Sequence, residues 1–125
     1  MTVPRFETLE DVQWYLDRLQ VPTWRRYSAG ALQNSWVNYG AGFADAEYWV
    51  STDGIVELYG LIKLGIAGVI FTLPAGARPL TRTLFTVMTD TGPGRVDVYT
   101  SGDVVVTGGA GNTFLSLDGI RFHVA

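Results

Sequence analysis

Few residues in this sequence could do chemistry. His123 is the only histidine, and there is no cysteine. A lone histidine cannot complete a metal site, which needs three or four ligands. No Gly-x-Ser-x-Gly turn is present to hold a nucleophile near it. Between Phe122 and Val124 it reads as a surface or interface side chain on the face opposite those two. Gly108-Gly109-Ala110-Gly111-Asn112 resembles a phosphate-cradling loop, yet it lacks the lysine and joins two expected strands, so the nucleotide reading fails. Asp45 and Glu47 lie two apart and could share a strand face, with Asp53 in the next turn. Glycoside hydrolysis needs two carboxyl groups about 5–9 Å apart, one of them with a raised pKa in an apolar setting. Tyr48 and Trp49 are neighbours, but adjacent strand residues face opposite ways, and a long sheltered groove does not fit in 125 residues. No enzymatic activity, cofactor or metal is expected.

The aromatic residues carry the stronger signal: four Trp, six Tyr and six Phe. Rings stack on the apolar faces of sugars while polar neighbours bond to the hydroxyls. Phe71, Phe85, Phe114 and Phe122 are expected in the core, Trp36 and Tyr39 at the entry to the β region, and Trp24 and Tyr27 as anchors. That leaves Trp49, Tyr59 and Tyr99, on strands beside polar turns, as candidate ligand-binding rings. Asp53, Asp103 and Asn112 are the candidate hydrogen-bonding partners.

The elements that position these residues are mostly strands. Thr8 is placed to cap a helix running to about Gln20, where Pro22 forbids continuation. Leu9, Val12, Leu16 and Leu19 form a short a/d seam, read as an inter-chain bundle in preference to a helix lying on its own domain. Val21 to Asn34 reads as a connector, making residues 1–34 an attachment segment and 35–125 the β-sandwich. Strands are expected at Trp36–Tyr39, Ala46–Ser51 and Ile55–Lys63, the last two joined by an Asp53-Gly54 turn. Ala67–Leu73 ends at a Pro74-x-Gly76-x-Arg78-Pro79 corner. Leu84–Asp90, a Gly92-Pro93-Gly94 turn, then Arg95–Thr100 and Val104–Thr107 follow. In the last stretch, Thr113–Val124, Leu115 and Leu117 are out of phase with Ile120 and Phe122, which predicts one bent strand with a bulge at Asp118-Gly119.

Fifteen glycines and only 17% charged residues suit many strands with tight turns, here an antiparallel jelly-roll-like β-sandwich with a short N-terminal helix. A net charge of -3 gives no reason to expect nucleic acid. No segment approaches the roughly 20 apolar residues of a membrane span, and the acidic N-terminus is unlike a signal peptide. Strand Ile55–Lys63 is apolar on both faces, which suggests that further copies of the chain cover one of them.

The order of several motifs carries a resemblance. "NSWVNYGAGFADAEYWVSTDGIVELYGLIK", "FTLPAGARP" and "GRVDVYTSGDVVVTGGAGNTFLSLDGIRF" together resemble the module at the distal ends of tailed-phage tail and head fibres, over roughly Ser35 to Val124. The corner in that module often has an aromatic between Gly and Arg, where this chain has Ala77. The resemblance implies a homotrimer on a virion, joined to a fibre, tail or capsid protein, that binds a host cell-surface saccharide without cleaving it. The alternative is a structural trimerisation or decoration module with no receptor role.

Overall fold

The computed structural model describes residues 8–10, 12 and 23–124. Leu9, Glu10 and Val12 have helical backbone, and the Val12 N–H reaches the Thr8 carbonyl at 3.3 Å. The rest of the expected helix, with Leu16 and Leu19, lies outside the described residues.

Among the described residues, eleven strands form two antiparallel sheets. In chain order they are β1 (Trp24–Ser28), β2 (Val37–Asn38), β3 (Glu47–Ser51), β4 (Ile55–Tyr59), β5 (Leu61–Lys63) and β6 (Gly68–Thr72). Then come β7 (Thr83–Thr89), β8 (Gly92–Val98), β9 (Asp103–Val106), β10 (Leu115–Ser116) and β11 (Arg121–His123). One sheet has the order β1-β3-β4-β11 and the other β2-β5-β10-β7-β8-β9-β6. The chain is mainly β, as its composition predicts. Within the larger sheet, β6 to β9 form a Greek key whose long connection, through the proline corner, comes first.

Two expected strands divide where the sheets meet. Ile55–Lys63 splits at Gly60, β4 joining the small sheet and β5 the large one. Thr113–Val124 does likewise at Asp118-Gly119. The two breaks lie side by side. Gly60 N–H donates to Asp118 Oδ1 at 2.9 Å, Leu117 N–H to the Gly60 carbonyl at 2.8 Å, and Leu58 N–H to the Ile120 carbonyl at 2.9 Å. Gly60 has φ +120°, and a Cβ there would stand 2.5 Å from the Asp45 carbonyl, so only glycine fits. The phase change in the last strand therefore has its predicted effect by a sharper device than a bulge. Leu115, Leu117, Ile120 and Phe122 all enter one core with Val56, Leu58, Ile62, Ile70 and Phe71.

Other expectations are revised. Trp24–Ser28, read as connector, is an edge strand paired with β3 from Trp24↔Ser51 to Ser28↔Glu47. Its β-forming Trp and Tyr outweigh the break signals around it. Gly92-Pro93-Gly94 lies inside β8, and the reversal falls at Asp90-Thr91. Phe114 is half-buried on an outer groove instead of in the core. Ala77 is buried, so the corner packs through a methyl group where a ring is often found. His123 is exposed, as expected.

Gly60→Ala should lower unfolding stability by at least about 2 kcal/mol through backbone strain and the clash with Asp45. Gly108→Ala, with open space around its Cβ, should be close to neutral. Urea unfolding of the two variants checks this; equal stabilities would contradict the role given to Gly60.

Candidate functional site

The Asp53-Gly54 turn sets the register of β3 on β4. Gly54 N–H bonds to the Ser51 carbonyl at 3.1 Å, and Ser51 Oγ both donates to Asp53 and accepts from Ile55 N–H. Glu47 then lies opposite Tyr59, Tyr48 opposite Leu58, and Trp49 opposite Glu57. Since alternate residues share a face, Tyr48 and Val50 turn to the core while Glu47, Trp49, Glu57 and Tyr59 share the outer face. β1 adds Trp24 and Arg26 on one side, and β11 adds Arg121, opposite Glu57, on the other.

These side chains surround a shallow depression of about 450 Å³ lined by Trp24, Glu47, Trp49, Glu57 and Tyr59. Trp49 and Tyr59 meet edge to face, centroids 6.2 Å apart. Both carboxylates are held at both oxygens. Glu47 accepts from Trp49 Nε1 at 3.1 Å through Oε1 and pairs with Arg26 Nε at 3.2 Å through Oε2. Glu57 accepts from the Tyr59 hydroxyl through Oε2 and pairs with an Arg121 terminal nitrogen at 3.0 Å through Oε1. The Arg121 guanidinium also lies 6.0 Å from the Trp24 ring. The Glu57 hydrogen bond, followed by burial, pushes the Tyr59 phenol above its usual range.

Chemically, this is a rigid platform with apolar ring faces and fixed acceptors. Two carboxylates and two arginines cancel, so the face carries no strong net field. Each carboxylate oxygen keeps a spare lone pair for a hydroxyl donor. Among the described residues, no group of three or more His, Cys, Asp or Glu could hold a metal.

Of the residues singled out from sequence, Trp49 and Tyr59 come together here. Asp53 sits in the adjoining turn, engaged with Ser51. Asp103 begins β9 of the other sheet, Tyr99 directly follows β8 there, and Asn112 lies in the loop between β9 and β10. Tyr99 lies under the Arg82 guanidinium at 4.3 Å, and Asp103 accepts from Thr72 Oγ1 at 2.7 Å. Asn112 ties its loop to the β5–β6 connection, its side-chain nitrogen donating to the Gly65 carbonyl at 3.1 Å and its carbonyl accepting from Leu64 N–H at 2.7 Å.

The polar turns beside the candidate rings, Thr52-Asp53-Gly54 and Ser101-Gly102-Asp103, lie at the same end of the two sheets. Thr52 exchanges hydrogen bonds with Thr23, where the chain enters β1. Val124 links Gly54 to Pro79, and Leu73 bonds to Gly102. Both candidate turns therefore gather at the entry end. Trp24, expected as an anchor, lines this outer face instead, and Glu57, Arg26 and Arg121 were not singled out from sequence. Glu57 could have been found by pairing outward from the Asp-Gly turn; Trp24 could not, because its strand was not foreseen.

No protein-family model matches the chain, and no curated protein matches it. A solved structure does. The fold is similar to that of the receptor binding protein of Listeria phage PSA. The TM-score is 0.72 over 96% of this chain and 82% of that one, at 18% sequence identity. At that identity the likeness establishes the fold, and the site has to be argued from this chain's own side chains.

Because Glu57 holds the Tyr59 proton, Tyr59 should ionise above the ordinary tyrosine value of about 10. The stability this adds is present below that pH and is lost as pH rises through the folded-state value. Ring-carbon NMR titration of labelled tyrosine should show a late Tyr59 transition that moves toward the ordinary range in Glu57→Gln. An unmoved transition would mean that the hydrogen bond does not form in solution.

Proposed function

We propose that this chain is a homotrimeric fibre-tip module of a phage-like particle, displayed on the virion and joined to a fibre, tail or capsid protein. In this reading it attaches the particle by holding a host cell-surface saccharide on the outer face of the four-stranded sheet. The observation that carries the reading is the Trp24-Trp49-Tyr59 platform with Glu47 and Glu57 fixed between its rings, on a fold shared with a phage receptor binding protein. Aromatic faces stack on pyranose C–H faces and carboxylates accept hydroxyl protons, the pairing a shallow sugar site uses. Binding proceeds without cleavage. Both glutamates are ion-paired to arginines, so neither has the apolar setting that a proton-donating carboxyl requires.

Assembly would use the other sheet. Its outer face carries a groove of about 410 Å³ lined by Tyr39, Phe43, Leu61, Met88 and Phe114 among others. Phe43 is 56% and Met88 68% exposed, apolar surface of the kind that a second copy would cover. This leaves the saccharide platform open to solvent.

On a printed array of bacterial surface polysaccharides, the wild-type protein should bind some members and release no reducing sugar. Trp49→Ala should weaken that binding at least about tenfold, the loss of one ring–sugar stack multiplied by avidity, while Tyr99→Ala should leave it unchanged. Equal loss in both, or in neither, would remove the platform from the reading. Light scattering at micromolar concentration should give a trimer mass that Met88→Lys reduces to a monomer; a monomeric wild type would refute the assembly.

A further inference from the structure

On the outer face of the seven-stranded sheet, beyond the apolar groove, two arginines converge on one buried carboxylate. Asp97 is fully buried, although it lies between Leu84 and Val105 on the face directed away from the core. Arg82 donates to Asp97 Oδ2 through Nε at 3.0 Å and a terminal nitrogen at 2.6 Å. Arg95 donates through Nε to Oδ1 at 2.8 Å and through a terminal nitrogen to Oδ2 at 2.9 Å. The Arg82 guanidinium also stacks on Tyr99, 4.3 Å from the ring centroid.

One bidentate arginine is enough to neutralise one carboxylate. A second leaves a surplus positive charge and places two like charges beside each other, at a cost. Hydrogen bonds from Arg95, and then from Arg82, hold the Asp97 carboxyl below the usual range against its burial, so the carboxylate is a permanent anchor. Each guanidinium spends its inner edge on Asp97 and keeps further N–H donors on its outer side. Both arginine side chains are 49% exposed. Among the described residues no other acidic side chain forms an ion pair with either; Asp103, across the strand pair from Tyr99, is bonded to Thr72.

We propose that Arg82 and Arg95, braced by Asp97 and Tyr99, form an oxyanion-binding site for a phosphate ester or carboxylate group presented to the outer face of the seven-stranded sheet. The chemistry favours an oxyanion because guanidinium forks match paired oxygens, and bracing on both sides removes most of the ordering cost. The site does not rest on the saccharide reading and lies on the other sheet, so either can fail alone.

The test follows the Arg82 and Arg95 Nε–H resonances of the labelled protein during titration with inorganic phosphate, acetate and chloride. Saturable shifts are expected with phosphate, acetate or both, at a Kd of about 1–10 mM, as a few charge-assisted hydrogen bonds allow. Chloride at matched ionic strength should give only a small linear drift. A preference for phosphate or for acetate identifies the ligand's source chemistry. Arg82→Gln leaves Asp97 paired with Arg95 and should weaken the anion at least fivefold; Arg95→Lys serves the same purpose should that variant unfold. Non-saturating shifts equal to those with chloride, or wild-type affinity in a folded variant, would overturn the site.

Discussion

The structure depends on the paired bend at Gly60 and Asp118. At this point two antiparallel neighbours leave one sheet and enter the other together, joined by the Gly60–Asp118 hydrogen bond and its two flanking backbone bonds. A side chain at Gly60 would collide with the β3 approach at Asp45 and Ala46. The bend lets a chain of this length close two sheets over one core without adding strands, because each long segment serves both. It also separates the surfaces. The same segment carries Glu57 and Tyr59 on the outer face of the small sheet and, after the turn at Gly60, Leu61 in the groove of the large sheet.

From that constraint the candidate site follows by register alone. The Asp53-Gly54 turn pairs Trp49 with Glu57 and Glu47 with Tyr59, and edge strands β1 and β11 close the ends. Each carboxylate is caught between a ring donor and an arginine, so rings and acceptors are held before any ligand arrives. Preorganisation matters for a shallow site, where the binding energy is small and ordering losses would consume it. A fold shared at 18% identity with a phage receptor binding protein shows that this architecture tolerates extensive sequence change.

Much of the fold was legible in local signals. Phe71 was expected in the core and is buried there, and the proline corner ended β6 as its missing donor requires. The out-of-phase leucines of the last strand announced a bend. The sequence did not show that Gly60 bends too, because a glycine within a strand has several uses and its partner Asp118 is distant in the chain. β1 was hidden for a similar reason. Its five residues are all exposed, so no apolar alternation marks them, and its strand character comes from the edge it joins. At the site, Trp49 and Tyr59 could be read from composition and their neighbouring turn. Tyr99 and Asp103 matched the same local pattern but lie at the other sheet, a separation only tertiary structure decides. The Arg82-Arg95-Asp97 cluster gave no local signal, since an aspartate in an apolar strand declares neither its burial nor its partners.

The most direct test of the account is the indole Nε1–H spectrum of the four tryptophans during titration with fragments of bacterial surface polysaccharide. The Trp49 resonance, bonded to Glu47, should shift saturably together with that of Trp24. Trp36, buried and bonded to the Ile66 carbonyl, should stay in place. Saturable shifts confined to the seven-stranded sheet, with Trp24 and Trp49 unmoved, would contradict the assignment of the saccharide to the four-stranded face.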